Sequence, residues 1–197
     1  MAGGNESTTA AFARLEACLP PISARWNEEV AAVLRGGVHD PTAQGFEILS
    51  LAGAKRYDEA ESLAGALPAP AWAAQLRLEV ALARGRHSSL QLAAEQVLSF
   101  RPEQSSHLRA GIALARAGLL DRAGEVAAGV AHDLNTPPVI RADAFEALLK
   151  VRAQQDDWAS ASREWELWQR LSHRELDRLD ARVSAWQVHV THHARQS

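Results

Sequence analysis

Apolar side chains recur every three or four residues along most of this chain, and proline and glycine interrupt the pattern at short intervals. Asp40-Pro41, for example, combines a capping side chain with a proline at the first helical position. This pattern predicts amphipathic helices separated by tight turns, and no credible strand. We expect about eleven helices, at roughly 8–19, 22–34, 41–53, 57–67, 70–84, 87–100, 103–117, 119–133, 137–155, 157–171 and 173–194.

The eleventh predicted helix has a start signal of its own. Ser172 precedes Glu175 by three residues, which is the spacing of a capping box. Short connections between helices of this length make neighbouring helices pack antiparallel. The sequence therefore predicts a series of helical hairpins, and a compact bundle around one shared core is the alternative.

A pair of residues with at least one alanine recurs in the second helix of each predicted hairpin, which favours the series over the bundle. Each pair follows a turn that contains Lys55, Gly85, Gly118 or Asp156. The pairs are Ala60 with Ala64, Leu90 with Ala94, Ala123 with Ala127, and Ala161 with Trp165. Their first members are separated by 30, 33 and 38 residues, and these steps bracket the period of about 34 residues in tetratricopeptide repeats.

Several motifs resemble that repeat family in sequence. Segment 104–135 is the clearest unit, with Ala110-Gly111 in place of the family's Leu-Gly, Leu114 at its first-helix aromatic and Ala123 at its second-helix alanine. Degenerate units are recognised by Pro102 in 71–102, by Ala161 and Trp165 in 142–173, and by Arg56-Tyr57-Asp58-Glu59-Ala60 in the first unit. The resemblance implies an all-α, right-handed solenoid, in which Gly111 and Ala123 lie where helices approach most closely.

This resemblance divides the chain into four parts. We expect a flexible tail at 1–7, an N-terminal hairpin or cap at 8–40, four degenerate repeats at 41–173, and a C-terminal capping helix and tail at 174–197. In tetratricopeptide proteins the first helices line a concave groove that holds a protein partner. The resemblance places these residues in the groove: Thr42, Leu49, Trp72, Gln75, Glu79, Leu82, Ser105, Leu108, Ile112, Glu146 and Lys150.

The expected groove has an apolar middle and a polar rim, which suits the apolar face of an amphipathic helix. Lys150 is its one cation, which disfavours the acidic C-terminal peptides that a carboxylate clamp binds. A shorter stretch, residues 48–60 followed by Pro70-Ala71-Trp72, resembles the tetratricopeptide-like chaperones that hold the needle subunit in bacterial type III secretion. That resemblance implies a cytoplasmic chaperone that sequesters an aggregation-prone helix.

Composition excludes several other classes of function. Hydrophobic residues make up 47% of the 197 residues, which is enough for a continuous core. The formal charge of −3 gives no basic footprint for nucleic acid. No apolar run approaches the roughly 18 residues of a membrane span, and the start has no secretory signal pattern. The single cysteine, Cys18, lies on an apolar stripe and suits a small buried residue.

Candidate chemistry is sparse. His189, His192 and His193 share one helical face and could bind metal, although their position close to the end of the sequence favours incidental affinity. No phosphate-binding loop, nucleophile elbow or zinc-protease motif is present. Paired acids such as Asp156-Asp157 fit helix N-termini and solvated faces. We therefore expect no catalytic residue, no bound metal and no cofactor.

Six tryptophans are the more unusual feature. Trp158, Trp165 and Trp168 fall at helical spacing, so we expect a bulky stripe that seals the repeats against helix 173–194. Taken together, the sequence predicts a chaperone or adaptor that holds a partner's amphipathic helix. A scaffold subunit of a larger assembly is the alternative, and a helical enzyme or metal protein is the third class. The partner and the oligomeric state are left open.

Overall fold

The computed structural model describes residues 41–175 and 180–193, with side chains described for 44–172, 183–187, 190 and 191. These residues form nine α-helices and no strand, which confirms the all-α prediction for this part of the chain. The two helices predicted within 1–40 lie outside it. The helices are α1 (Pro41–Gly53), α2 (Tyr57–Gly65), α3 (Pro70–Arg84), α4 (His87–Ser99), α5 (Gln104–Arg116), α6 (Leu120–His132), α7 (Pro138–Gln154), α8 (Trp158–Glu175) and α9 (Asp180–His193).

Local breakers fix most helix bounds, and the predicted bounds of α1 to α7 agree with the structure to within two residues. Pro70 and Pro138 stand at the first turn of α3 and α7, where a missing backbone N–H is tolerated. The predicted break near Ser172 is wrong, because α8 continues through Glu175. Ser172 is buried and its hydroxyl donates to the Trp168 carbonyl at 3.0 Å, which is a bond of the helix interior.

Four turns share one backbone conformation. Each turn holds one residue with a positive φ: Lys55 (64°), Gly85 (74°), Gly118 (81°) and Asp156 (58°). In every case the next helix begins two residues later, at Tyr57, His87, Leu120 and Trp158. The residue five positions after each turn residue is at most 1% exposed, namely Ala60, Leu90, Ala123 and Ala161. The turns and the buried residues thus recur together, with the steps of 30, 33 and 38 residues seen in the sequence.

Hydrogen bonds explain why the turns are alike. After α1, the Arg56 amide donates to the Leu51 carbonyl at 2.8 Å. The corresponding bonds after α5 and α7 run from Leu119 to Leu114 at 3.0 Å and from Asp157 to Arg152 at 2.9 Å. These six-residue closures are Schellman motifs, which satisfy the free carbonyls at a helix end. Gly85 uses the single-bond form, donating to the Ala81 carbonyl at 2.8 Å.

The chain divides into two compact units, residues 1–86 and 87–197. In the described part of unit one, α1, α2 and α3 each pack against the other two. Their core consists of Phe46, Ile48, Ala52, Ala60, Ala64, Leu67, Trp72, Ala73, Leu76 and Val80. Gly45 is required here, because an added Cβ would lie 2.9 Å from Trp72 Cζ2.

Unit two contains α4 to α9, and each helix packs against its neighbours in sequence. First helices α5 and α7 of successive hairpins also touch each other. The main core cluster is formed by Leu108, Ala127, Val130, Ala131, Ala142, Ala144, Phe145, Leu148, Leu149, Ala161, Trp168, Leu171 and Val183. Phe145 and Trp168 are 2% and 0% exposed, so the largest side chains fill the centre.

Close approach within a hairpin is clearest between α5 and α6. A Cβ added to Gly111 would lie 2.9 Å from Val126 Cγ1 and 3.7 Å from the Ala123 carbonyl oxygen. The expectation that Gly111 and Ala123 mark a tight helix contact is confirmed. Across the described residues, no helix is both long and apolar enough to cross a membrane.

Candidate functional site

The eight residues that carry the predicted partner site divide equally between the two units. Trp72, Gln75, Glu79 and Leu82 lie along α3, at spacings of three or four residues that keep them on one face. In unit two, Leu108 and Ile112 lie on α5, and Glu146 and Lys150 lie on α7. The two sets are described separately, each within its own unit.

Trp72 is placed differently from the sequence-based expectation. Its side chain is 8% exposed and packs in the core of unit one over Gly45. The repeat alignment put Trp72 on the groove face, but the alignment does not reveal its contact with the preceding helix α1. Gly45 was the available signal, because a glycine inside a helical pattern often marks a close approach. Gln75, Glu79 and Leu82 on the same helix are partly exposed.

In unit two, the apolar residues of the predicted site also contribute to packing. Leu108 is 6% exposed and belongs to the core cluster, whereas Ile112 is partly exposed and packs against that cluster. Glu146 and Lys150 lie one turn apart on α7, and the Lys150 ammonium is 2.7 Å from a Glu146 carboxylate oxygen. Leu82 and Ile112 are therefore the partly exposed apolar members of the predicted site. Of the other expected groove residues, Leu49 packs on the unit-one core, Ser105 is half-buried, and the side chain of Thr42 lies outside the described residues.

His107 lies next to Leu108 on α5. Burial lowers the pKa of this imidazole below its usual value of 6.5, and the nearby Arg122 guanidinium lowers the pKa further. Both effects favour the neutral ring. His107 therefore adds polarity to α5 without adding positive charge near neutral pH.

A second histidine links three helices of unit two. His132 ends α6, and its Nε2 lies 2.7 Å from a Glu164 carboxylate oxygen on α8. The His132 ring also packs against Phe145 of α7, with ring centroids 5.7 Å apart. A histidine and a carboxylate can form part of a catalytic group, which also requires a nucleophile or a positioned substrate. Here the His132 ring contacts both α7 and α8.

Asp157 caps the start of α8. Its carboxylate accepts a hydrogen bond from the Ser160 amide at 3.1 Å. Hydrogen bonds from the Ser160 hydroxyl and amide lower the pKa of the Asp157 carboxyl, since they stabilise the charged form. The assignment of Asp156-Asp157 to a helix N-terminus is thus confirmed.

The tryptophan stripe of α8 packs as the sequence predicts. Trp168 is fully buried in the unit-two core, and Trp158 and Trp165 are partly buried against it. The Trp165 indole N–H donates to the backbone carbonyl of Val183 on α9 at 3.1 Å. The expected seal between the stripe and the following helix is confirmed, with that helix beginning at Asp180.

Several apolar side chains outside the predicted site are exposed. Leu92 on α4 is 74% exposed, and Leu134 and Val139, on either side of the α6–α7 turn, are 82% and 57% exposed. An apolar residue at a position where the helical pattern calls for a polar one is the signal that identifies Leu92. The side chains of His189, His192 and His193 lie outside the described residues. Among the described side chains, no group of three His, Cys, Asp or Glu residues could hold a metal ion.

Comparisons with known proteins give no match. No protein-family model matches the chain, and neither a search of curated proteins nor a search of solved structures finds a similar one.

Proposed function

We propose that the chain is a protein-binding helical repeat protein, built as a right-handed solenoid of tetratricopeptide-like hairpins. The observation that carries this proposal is the recurrence of the turns. Lys55, Gly85, Gly118 and Asp156 adopt the left-handed conformation, and a buried residue follows each of them five positions later. A compact bundle gives no reason for such a recurrence, whereas stacked hairpins require it.

The proposed partner is an amphipathic helix, held by first-helix residues of the repeats. Within unit one, the proposed binding residues are Gln75, Glu79 and Leu82 of α3, which are partly exposed. Within unit two, they are Ile112 of α5 and Lys150 of α7. Trp72 and Leu108 would support these residues from the core, since 8% and 6% of their surface is accessible. A mixed surface with a small apolar centre suits the apolar face of a partner helix.

The most concrete version of this function is a cytoplasmic chaperone of a bacterial type III secretion subunit. It rests on the resemblance of residues 48–60 and Pro70-Ala71-Trp72 to needle-subunit chaperones. The mechanism would be sequestration, in which the chaperone covers the apolar stripe of an aggregation-prone subunit until a competing surface or unfolding at an export gate releases it. The proposal assigns the protein no catalytic reaction and no cofactor.

Affinity purification from the native host, with identification of the co-purifying protein, tests this function. We expect one small helical partner with the wild-type chain. Leu82→Lys and Ile112→Lys should each reduce its recovery about tenfold or more, because a buried contact becomes a desolvated charge. Leu92→Lys is the matched control: it places the same charge at a 74% exposed leucine on a second helix, away from the proposed surface.

Circular dichroism must show unchanged helix content for all three variants. If Leu82→Lys and Ile112→Lys keep the partner while folded, the proposed surface is wrong. If Leu92→Lys alone loses the partner, the contact lies on the second helices. Leu108→Glu is not a suitable probe, since Leu108 is a core residue and a buried charge at this position would destabilise unit two.

A scaffold subunit is the second candidate function. Leu134 and Val139 favour it, because 82% and 57% of their side-chain surfaces are exposed outside the predicted groove set. Exposed apolar groups mark a surface where subunits join when they form a continuous patch. Size-exclusion chromatography of a native extract separates the two candidates. A scaffold stays in a stable high-mass peak, whereas a chaperone elutes with one small partner and dissociates from it.

A further inference from the structure

Ile112 and Lys150 occupy equivalent positions of α5 and α7. Ile112 lies six residues before Gly118, the residue with a positive φ in the turn after α5. Lys150 lies six residues before Asp156, which has a positive φ in the turn after α7. Both turns close with the six-residue hydrogen bond of a Schellman motif. The two residues therefore stand at the same height and on the same face of their helices.

The helices that carry these two residues lie side by side. Helices α5 and α7 each pack against α6, and they also touch each other. Because short turns make successive helices antiparallel, α5 and α7 run in the same direction. The axes of packed helices are about 8–10 Å apart. Ile112 and Lys150 are thus neighbours across the two helices, separated by about one such distance.

The two residues offer different chemistry to a ligand. Ile112 is partly exposed and packs on the unit-two core. The Lys150 side chain is 61% exposed, and its ammonium is 2.7 Å from a carboxylate oxygen of Glu146, whose side chain is 21% exposed. This ion pair restrains the long lysine side chain, which lowers the ordering cost of binding. An ammonium has three N–H donors, so Lys150 can bind a second carboxylate while it keeps Glu146.

We propose that the partner helix crosses α5 and α7 nearly at right angles, and that it carries an apolar residue for Ile112 and an acidic residue for Lys150, about seven positions apart. Seven residues of an α-helix rise about 10.5 Å, which is close to the separation of adjacent helix axes. Residues i and i+7 also share one face of a helix. Charge complementarity with Lys150 selects the acid. This inference rests on the proposed helix-binding function and adds the chemistry of the partner.

A phage-displayed library of helical peptides of about 18 residues, or five turns, tests the inference on the full chain. Peptides selected on the wild type should carry Asp or Glu about seven positions from an apolar residue. On Lys150→Glu the acid should change to Lys or Arg, and the wild-type peptides should bind this variant about tenfold more weakly, measured by fluorescence anisotropy. Arg170→Glu is the matched control and should select the same peptides as the wild type. Arg170 is 69% exposed on α8 and lies 3.7 Å from Glu166, the acid one turn earlier.

Circular dichroism must show equal helix content for the wild type and both charge-reversal variants. Lys150→Gln is a second variant, which removes the charge without reversing it and should abolish the preference for an acid. The inference is overturned if the selected peptides lack an acid at this spacing, if the Lys150 variants select the same peptides as the wild type, or if the folded wild type selects none. The native partner is not used, so failure here is distinguishable from failure of the proposed function, which the pull-down with Leu82→Lys and Ile112→Lys tests.

Discussion

Replacing Gly111 with alanine tests the close contact between α5 and α6 in unit two. An alanine Cβ at this position would lie 2.9 Å from Val126 Cγ1, whereas carbon atoms in contact are usually about 3.5–4.0 Å apart. Val126 is 4% exposed and β-branched, so it has little room and one strongly preferred rotamer in a helix. The added methyl group must push α5 and α6 apart or force Val126 off its rotamer.

Two opposing effects set the magnitude of this change. Alanine favours the helix over glycine by about 1 kcal/mol. Overpacking a core contact costs about 1–3 kcal/mol. We therefore expect Gly111→Ala to leave the free energy of unfolding unchanged or to lower it by up to about 2 kcal/mol. The overpacking cost is isolated by comparison with a glycine that lacks the contact.

Gly129 and Gly124, both in α6, supply that comparison. An added Cβ at Gly129 meets no atom within 4 Å, so Gly129→Ala should gain stability from helix propensity alone. An added Cβ at Gly124 would lie 3.5 Å from Val151 Cγ1, an ordinary contact, so Gly124→Ala tests whether burial without a clash is tolerated. Relative to Gly129→Ala, we expect Gly111→Ala to be less stable by about 1–3 kcal/mol and Gly124→Ala to be similar.

Urea unfolding followed by tryptophan fluorescence is a suitable assay, because four of the six tryptophans lie in unit two. Combining Gly111→Ala with Val126→Ala should recover the overpacking cost, giving a favourable coupling energy in the double-mutant cycle. If Gly111→Ala stabilises the protein as much as Gly129→Ala does, the close contact between α5 and α6 does not constrain the packing.

Two further predictions concern single residues. The pKa of His107 is lowered in the folded protein, so the unfolded chain binds this proton more readily and the free energy of unfolding should fall as the pH drops below about 6.5. A His107→Gln variant should lose less stability in acid. Matching pH profiles of stability for the two proteins would contradict the assignment. Lys55 has a φ of 64° and is exposed, so Lys55→Gly should raise the free energy of unfolding by about 1 kcal/mol. Gly118, with a φ of 81°, should show the opposite effect, and Gly118→Ala should lower the free energy of unfolding by a similar amount. Thermal unfolding of both variants tests the pair, and a destabilised Lys55→Gly would be evidence against backbone strain at Lys55.

Helix bounds could be predicted from the sequence because their signals are local. Pro70, Gly85 and Gly118 act within one turn of the backbone, whatever the helices pack against. The end of α8 could not be predicted in this way. Ser172 and Glu175 have the spacing of a cap, but Leu171 and Ser172 are buried, and that burial continues the helix through the expected break.

The candidate site was less predictable than the fold. The repeat register selected Leu82 and Ile112, which lie on α3 and α5 and are partly exposed. It fails for Trp72, whose burial depends on the absence of a side chain at Gly45 on another helix. The tryptophan stripe of α8 was correctly assigned as a seal against the following helix, because its helical spacing is a local signal.

Packing between successive helices also bears on how unit two reaches its folded state. Helices α4 to α8 bury their apolar faces mainly against helices a few tens of residues away in the chain. Contacts of such short sequence separation close small loops, and proteins rich in them fold quickly. Unit two can therefore assemble by packing neighbouring helices in turn, without first bringing distant parts of the chain together.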